Sequence, residues 1–469
     1  MSYEFDYVRI EDGVRITAYH GDALRVEIPA EIGGLPVCAV GTHTFYEDGL
    51  RVEAIRVPGS VRVIEAGAFE LCLSLTELVL EEGIEAIGAG AFLATGLERV
   101  VIPASVRRMD AIGEVQCTLQ FADGNQVYST DGFGIYQAQE LVAANAAEAP
   151  DFYEIREGTV SVAPDVFEAC ALLEGVKLPA SLMKLPEGVL VNVHDPFALE
   201  RGIHMICAAE TNPVFFAEND ILYRRISNPG SLQNPDDTGA GLELVRYFGD
   251  SPDPAVCEKT VRICREAFFR TGIRTIRIPG SVREIGPDAF LENPLETAVF
   301  PDGTVFFPQT DSYLLKNLLK AFGQNGKLYD FSTYDEILQE KHLNLNRVRM
   351  ICSRLEYGVD LPESRHALLW ASMLGRMEEI IQMIAEQNDL GLLKRLAGHG
   401  FVTEQNIDRL IRVANGERQE CYPAGRLDGR MRPAAGRNGT GTEVHRETLA
   451  WLMDYKNREL QTEGFDFSL

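Results

Sequence analysis

The stretch IRVPGSVRVIEAGAFELC, residues 55–72, decides the fold because it returns at residues 276–290 as IRIPGSVREIGPDAF. Counting back from its proline aligns Val52, Ile55, Val57 and Pro58 with Leu97, Val100, Ile102 and Pro103. The same register holds for Leu173, Val176, Leu178 and Pro179, and for Ile273, Ile276, Ile278 and Pro279. Self-similarity at a fixed spacing implies stacked equivalent units, each too small to bury its own apolar face. The expected fold is therefore a β-rich solenoid rather than a compact enzyme domain.

Within a unit the apolar positions alternate, as a strand with one buried face requires. The inward column reads Ile55, Leu78, Val100, Val176, Ile276 and Ala298. Proline, replaced by Glu81 in one unit, ends the strand because it fixes φ and offers no N–H. A small residue and a serine then turn the chain at Gly59-Ser60, Ala104-Ser105, Ala180-Ser181 and Gly280-Ser281. A second short segment follows, closing with Phe69, Phe92 or Phe290, which should stack in the interior. One residue beyond each inward position lies an outward column. Stacked rungs would align it on one sheet face, the surface that solenoids use for binding. Arg56, Val79, Val101, Lys177 and Arg277 on that column are the candidate partner-binding residues. An ordinary mixed surface, with β-branched residues that suit strands, is the alternative.

The phrase GLPVCAVGTHTF (34–45) and the two stretches above resemble the BspA-like, or Treponema-type, subclass of bacterial leucine-rich-repeat proteins. DYVRIEDGVRITAYHGDALRVEIPAEIGG (6–34) resembles the first unit of that family. Two interruptions match each other: Asn125, Val127, Tyr128, Ile135 and Tyr136 are spaced like Asn212, Val214, Phe215, Leu222 and Tyr223. By resemblance they are hairpin-like inserts, near 121–143 and 212–247. The resemblance implies recognition of proteins or extracellular matrix, since some family members are surface adhesins.

After residue 308 the periodicity turns helical, so a solenoid over 1–308 and an α-helical hairpin-repeat domain over 309–469 are expected. Tyr313 to Phe322 reads as an amphipathic helix. Another starts near Ser332, with Glu336 placed for a capping box on Thr333. HALLWASMLGRMEEIIQMI (366–384) resembles an ankyrin helix pair, with Ala371 and Gly375 where close helix packing is needed. Residues 416–443, with Arg418, Arg426, Arg430, Arg432 and Arg437, are expected to form a disordered loop.

Composition narrows the function. The 469 residues are 45% hydrophobic and 24% charged, ordinary for a globular chain. The net charge of -26 is uneven, since residues 1–310 hold 23 Lys/Arg against 47 Asp/Glu. That field argues against non-specific nucleic-acid binding or adhesion to anionic membranes, and favours basic partners. No stretch approaches the roughly 18 apolar residues of a membrane span. The start shows no basic segment leading into an apolar core, so a cytoplasmic chain is expected. Nine cysteines, with no C-x-x-C pair, suggest neither a disulfide framework nor a zinc ribbon. Ser181-Leu-Met-Lys184 satisfies the S-x-x-K pattern of serine nucleophiles, but its serine is the repeat-turn residue equivalent to Ser60, Ser105 and Ser281. No histidine pair has the helical spacing of a zinc site. The expectation is a non-enzymatic protein-protein interaction scaffold, without cofactor or metal, that meets a protein partner through its solenoid sheet face. The alternative is an enzyme or nucleic-acid-associated factor acting through the helical domain and its Arg-rich loop. Oligomeric state is left open.

Overall fold

A computed structural model describes residues 4–46, 49–114, 117–192, 202–226, 241–308, 312–338, 343–387, 389–415 and 441–460. The expected Arg-rich loop falls largely on 416–440, outside the described residues, as do residues 227–240 of the second expected insert. Short parallel strands give way to helices from Ser312 onward. The architecture is a β-solenoid followed by a distinct α-helical segment. Two compact units are defined: Met1–Ser251 with Lys259–Thr271 and Ser281–Asn293, and Pro252–Glu258 with Gly272–Gly280 and Pro294–Leu469.

In the first unit each repeat gives one strand to each of two sheet series. The first series pairs Arg25–Glu27, Ala54–Val57 and Glu77–Leu80 in parallel, with Val26, Ile55 and Leu78 in register. Arg99–Ile102 pairs with Thr118–Phe121, and Gly175–Leu178 lies between Phe152–Glu154 and Met205–Ala208. Because side chains alternate and the register is constant, Ile55, Val100 and Val176 are all turned inward and buried. The second series runs from the antiparallel hairpin of Phe5–Ile10 and Gly13–Tyr19 through Leu35–Val40, Val63–Ile64 and Ala86–Ile87 to Arg108–Met109. In the interior the repeated rings form a buried column. Tyr19, Phe45, Phe69 and Phe92 follow one another at centroid distances of 5.2, 5.5 and 6.4 Å, and Phe268 and Phe290 lie 5.2 Å apart.

The ladder is interrupted twice by antiparallel strands: Tyr128–Thr130, Gly134–Gln137 and Glu140–Ala144, then Phe215–Glu218, Ile221–Arg225 and Leu242–Tyr247. An asparagine manages each interruption. Asn125 Nδ2 donates to the Pro103 and Val106 carbonyls at 3.1 and 3.3 Å, while its Oδ1 accepts from Val127 and Tyr128 at 2.9 and 2.8 Å. Asn212 repeats the arrangement on Pro179, Leu182, Val214 and Phe215. A single amide thus supplies the pairing that backbone groups lose where the ladder breaks.

The second unit holds a three-stranded sheet, Thr275–Arg277, Thr297–Phe300 and Gly303–Phe306, with Ile276, Ala298 and Val305 in register and fully buried. Its helices among the described residues are α1 (Ser312–Leu319), α2 (Ser332–Ile337), α3 (Leu345–Glu356), α4 (Glu363–Leu374), α5 (Met377–Gln387), α6 (Leu390–Gly398), α7 (Ile407–Ala414) and α8 (Gly441–Glu459). Arg354 of α3 is fully buried. Its Nε lies 2.7 Å from Asp335 Oδ1, it donates to the Tyr357 and Val359 carbonyls, and its guanidinium sits 4.0 Å from the Phe331 ring centroid. The capping box expected at Thr333 does not form. The helix begins at Ser332, which places Thr333 inside it, and Asp330 Oδ1 takes the Ser332 N–H at 3.1 Å. In α4, Leu369 and Met373 are buried, whereas Ala371 and Gly375 are exposed.

Candidate protein-interaction face

The five candidate residues occupy outward positions on four strand sets. Glu27, Arg56 and Val79 share one register; Val101 pairs with Gln120; Glu154, Lys177 and Cys207 share another. Arg277, in the second unit, pairs with Val299. All five side chains reach solvent, with Val101 half exposed. Two of the three cations are already engaged: Arg56 Nε lies 2.8 Å from Glu81 Oε1, and Lys177 Nζ 2.9 Å from Glu154 Oε2. The face therefore presents ion pairs beside valines rather than a bare cationic stripe.

Glu81 explains why one unit departs from proline. Its N–H donates to the Val57 carbonyl at 3.1 Å, a bond proline cannot make, and its Oε2 accepts from Gly59 N–H at 3.0 Å. That backbone bond, then Arg56, holds its carboxyl below the ordinary range. Glu82 reaches to the following turn, accepting from Ala104 N–H at 2.8 Å and Ser105 N–H at 3.0 Å. Those bonds, the Ala104 amide first, lower its pKa too. Glu157 does the same for Ala180 and Ser181, each at 3.1 Å. Part of the acidic excess is thus structural, because carboxylates close the turn amides that strands leave open.

The S-x-x-K serine belongs to this turn chemistry. Ser181 Oγ donates to the Thr159 carbonyl at 2.8 Å and accepts from Gly158 N–H at 2.9 Å, and Ser281 Oγ donates to the equivalent Thr260 carbonyl at 2.6 Å. Burial pushes the Cys72 and Cys264 thiols up to about 12 and Cys117 and Cys170 up to about 11, so all four stay protonated and inert near neutral pH. Among the described residues no group of three or more His, Cys, Asp or Glu side chains could hold a metal ion, and no helix is long and apolar enough to cross a membrane.

Two groupings escape the sequence alignment. Beside the first insert, the Tyr153 and Tyr136 hydroxyls lie 2.8 and 3.1 Å from Asp131 Oδ2 and against each other, so their two protons are shared among three contacts. Burial drives both phenols above their ordinary value, so they act as neutral donors pinning the insert. The second is an apolar set, Phe152, Gly175 and Met205, aligned on the outward column two residues before Glu154, Lys177 and Cys207. Its one signal in the sequence is a glycine inside a strand.

The strands, rings and turns together define a leucine-rich-repeat solenoid with a helical C-terminal segment. A family model described as BspA type leucine rich repeat region matches residues 36–113 and 255–321 in 6 copies. Among solved structures the chain is similar to a leucine rich cell surface protein from Faecalibacterium prausnitzii, at 19% identity over 64% of this chain and 75% of that one, with a TM-score of 0.38. A leucine-rich repeat protein from Bacteroides ovatus aligns at 16% identity over 66% of this chain and 92% of its own, TM-score 0.34. The leucine-rich repeat protein of T. pallidum does so at 22% identity, 41% and 87%, TM-score 0.26. No curated protein matches the chain.

Proposed function

We propose that the chain is a non-enzymatic protein-interaction scaffold that binds a protein partner through the outward face of its first strand series. One observation carries this reading: constant parallel register sets the same outward positions side by side, so Arg56 and Val79, and Glu154, Lys177 and Cys207, form columns a partner can span. The BspA-like character of the repeats supports it, and so does the structural use made of Ser181 and the buried cysteines, which leaves them no chemistry to perform. The test uses full-length protein. Partners captured from native lysate and identified by mass spectrometry are compared between the natural chain and a variant carrying Arg56→Glu, Lys177→Glu and Arg277→Glu. Partner capture should be lost while the thermal transition stays in place. Because reversal sets like charges against Glu81 and Glu154, a companion pairing Lys177→Glu with Glu154→Lys restores that ion pair in swapped order. Retained capture in the triple variant would sink the proposal.

A further inference from the structure

The strand set Phe152–Glu154, Gly175–Leu178 and Met205–Ala208 carries an outward column unlike that of the first rungs. Where those place Arg25, Ala54 and Glu77 in register, this set places Phe152, Gly175 and Met205. Phe152 and Met205 are 37% and 39% exposed. The Phe152 ring lies across Gly175: a Cβ built there would fall 2.2 Å from Phe152 Cδ2 and 3.1 Å from Met205 Cβ. Gly175 does not have a positive φ, so conformation does not demand glycine; the missing side chain makes room for the ring. The result is a flat apolar shelf with an aromatic face beside an adaptable thioether, two groups enriched where proteins contact one another.

The charges around the shelf are mostly negative. Asp151 and Glu174, both exposed, directly precede Phe152 and Gly175, and Glu154 follows on the same strand as Phe152. Lys177 is the cation of the adjoining column, and Glu154 holds it at 2.9 Å. His204 precedes Met205, its Nδ1 lying 2.8 Å from the Gly202 carbonyl. This local balance continues the excess of 47 acidic over 23 basic residues in the first 310. A basic ligand gains from both features, since lysine and arginine stems cover apolar surface while their charged heads stay with carboxylates.

Resting on the scaffold reading above, we propose that this shelf anchors a cationic polypeptide segment, seating an apolar side chain on Phe152 and Met205 while flanking lysines or arginines meet Asp151, Glu154 and Glu174. The probe is a fluorescein-labelled peptide with a phenylalanine between two pairs of lysines, titrated by anisotropy against full-length protein at about 0.1 M ionic strength, where charges are screened beyond ~10 Å. Two comparison peptides replace the phenylalanine by serine or the lysines by glutamates. The lysine–phenylalanine peptide should bind tightest, and Phe152→Ser should weaken it roughly tenfold, to the level of the serine peptide. Met205→Ser, a change at an exposed edge, gives a second variant that does not remove the ring. Equal binding of the serine or glutamate peptide, or no effect of either variant, would overturn the proposal. So would a dimer in sedimentation velocity that Phe152→Ser abolishes, because the shelf would then be filled by a second copy. Because its ligand is cationic, the shelf is judged by the labelled peptides and Phe152→Ser, and the triple reversal judges the rest of the face. A lysate partner kept by Phe152→Ser but lost on the triple reversal overturns the shelf and leaves the scaffold standing, and a partner kept by both overturns the sheet-face reading itself.

Discussion

Phe69 is buried between Phe45 and Phe92, at 5.5 and 6.4 Å, so one ring ties three successive rungs. Phe69→Ala removes contacts on both sides and leaves a cavity that rigid strands cannot close, a loss of about 3–5 kcal/mol. Its thermal midpoint should fall sharply in circular-dichroism melting; an unmoved midpoint would remove the ring from the core. Asn212 works through bonds rather than volume. Asn212→Leu strands the Pro179 and Leu182 carbonyls and the Val214 and Phe215 amides, and uncompensated buried groups cost about 1–3 kcal/mol each. With partial relief by water, denaturant titration should register a loss of roughly 2–4 kcal/mol, whereas the exposed change Met183→Ser should stay within about 0.5 kcal/mol. The repeat made the ring legible in the sequence, since equivalent positions share a periodicity. It marked Asn125 and Asn212 as equivalent without revealing their role, because the carbonyls they bind lie 19 to 33 residues earlier.

The strand ending at Glu81 sets local repeat logic against pairing between rungs. Aligned units carry proline there, and a compatible proline ordinarily stabilises by about 0.4–1 kcal/mol through the unfolded chain. Here it would delete the bond to Val57, the carboxylate contact to Gly59 and the pair with Arg56. A backbone hydrogen bond is worth about 0.5–1.5 kcal/mol net and one to a charged group about 1.5–3, discounted here because Glu81 is solvent-accessible. Glu81→Pro should therefore destabilise by about 1–2 kcal/mol in equilibrium unfolding; a gain would show that the repeat rule outweighs the bonds. The same element shows where sequence reasoning stopped. Strand positions and turns followed from period and small residues, but the partners of Arg56 and Lys177 lie 25 and 23 residues away, so the column was visible and its neutralisation was not. At α2 the backbone path puts the N-cap position on Phe331, so neither Asp330 nor Thr333, both competent capping types, occupies it. The apolar shelf stayed hidden because Phe152, Gly175 and Met205 are dissimilar residues that acquire a common surface only through register.

For the whole molecule, a net charge of -26 would make acidification stabilising if mutual repulsion dominated, because protonating carboxylates relieves it. Particular carboxylates act in the opposite direction. Glu81 and Glu82 are held below the glutamate value of 4.5 by turn amides. Burial alone would raise Glu187 and Glu356, yet Arg262 and the Arg265 amide outweigh it at Glu187, and His399 with Arg395 outweighs it at Glu356. A group whose folded pKa is depressed contributes stability above its unfolded pKa and loses it as pH falls through the folded one. Both compact units hold such groups, Glu187 in the first and Glu356 in the second. Repulsion among exposed charges is screened beyond ~8 Å at physiological salt, whereas these bonds act at contact, so the local losses prevail. The thermal midpoint should hold from about pH 7 to pH 5 and then fall steadily below about 4.5, where free glutamate begins to protonate. Glu187→Gln should lower the midpoint at neutral pH and flatten the acid decline, since it has already given up the charge that Arg262 requires. A midpoint that instead rises on acidification would place net repulsion above the turn and ion-pair carboxylates as the force setting the stability of this chain.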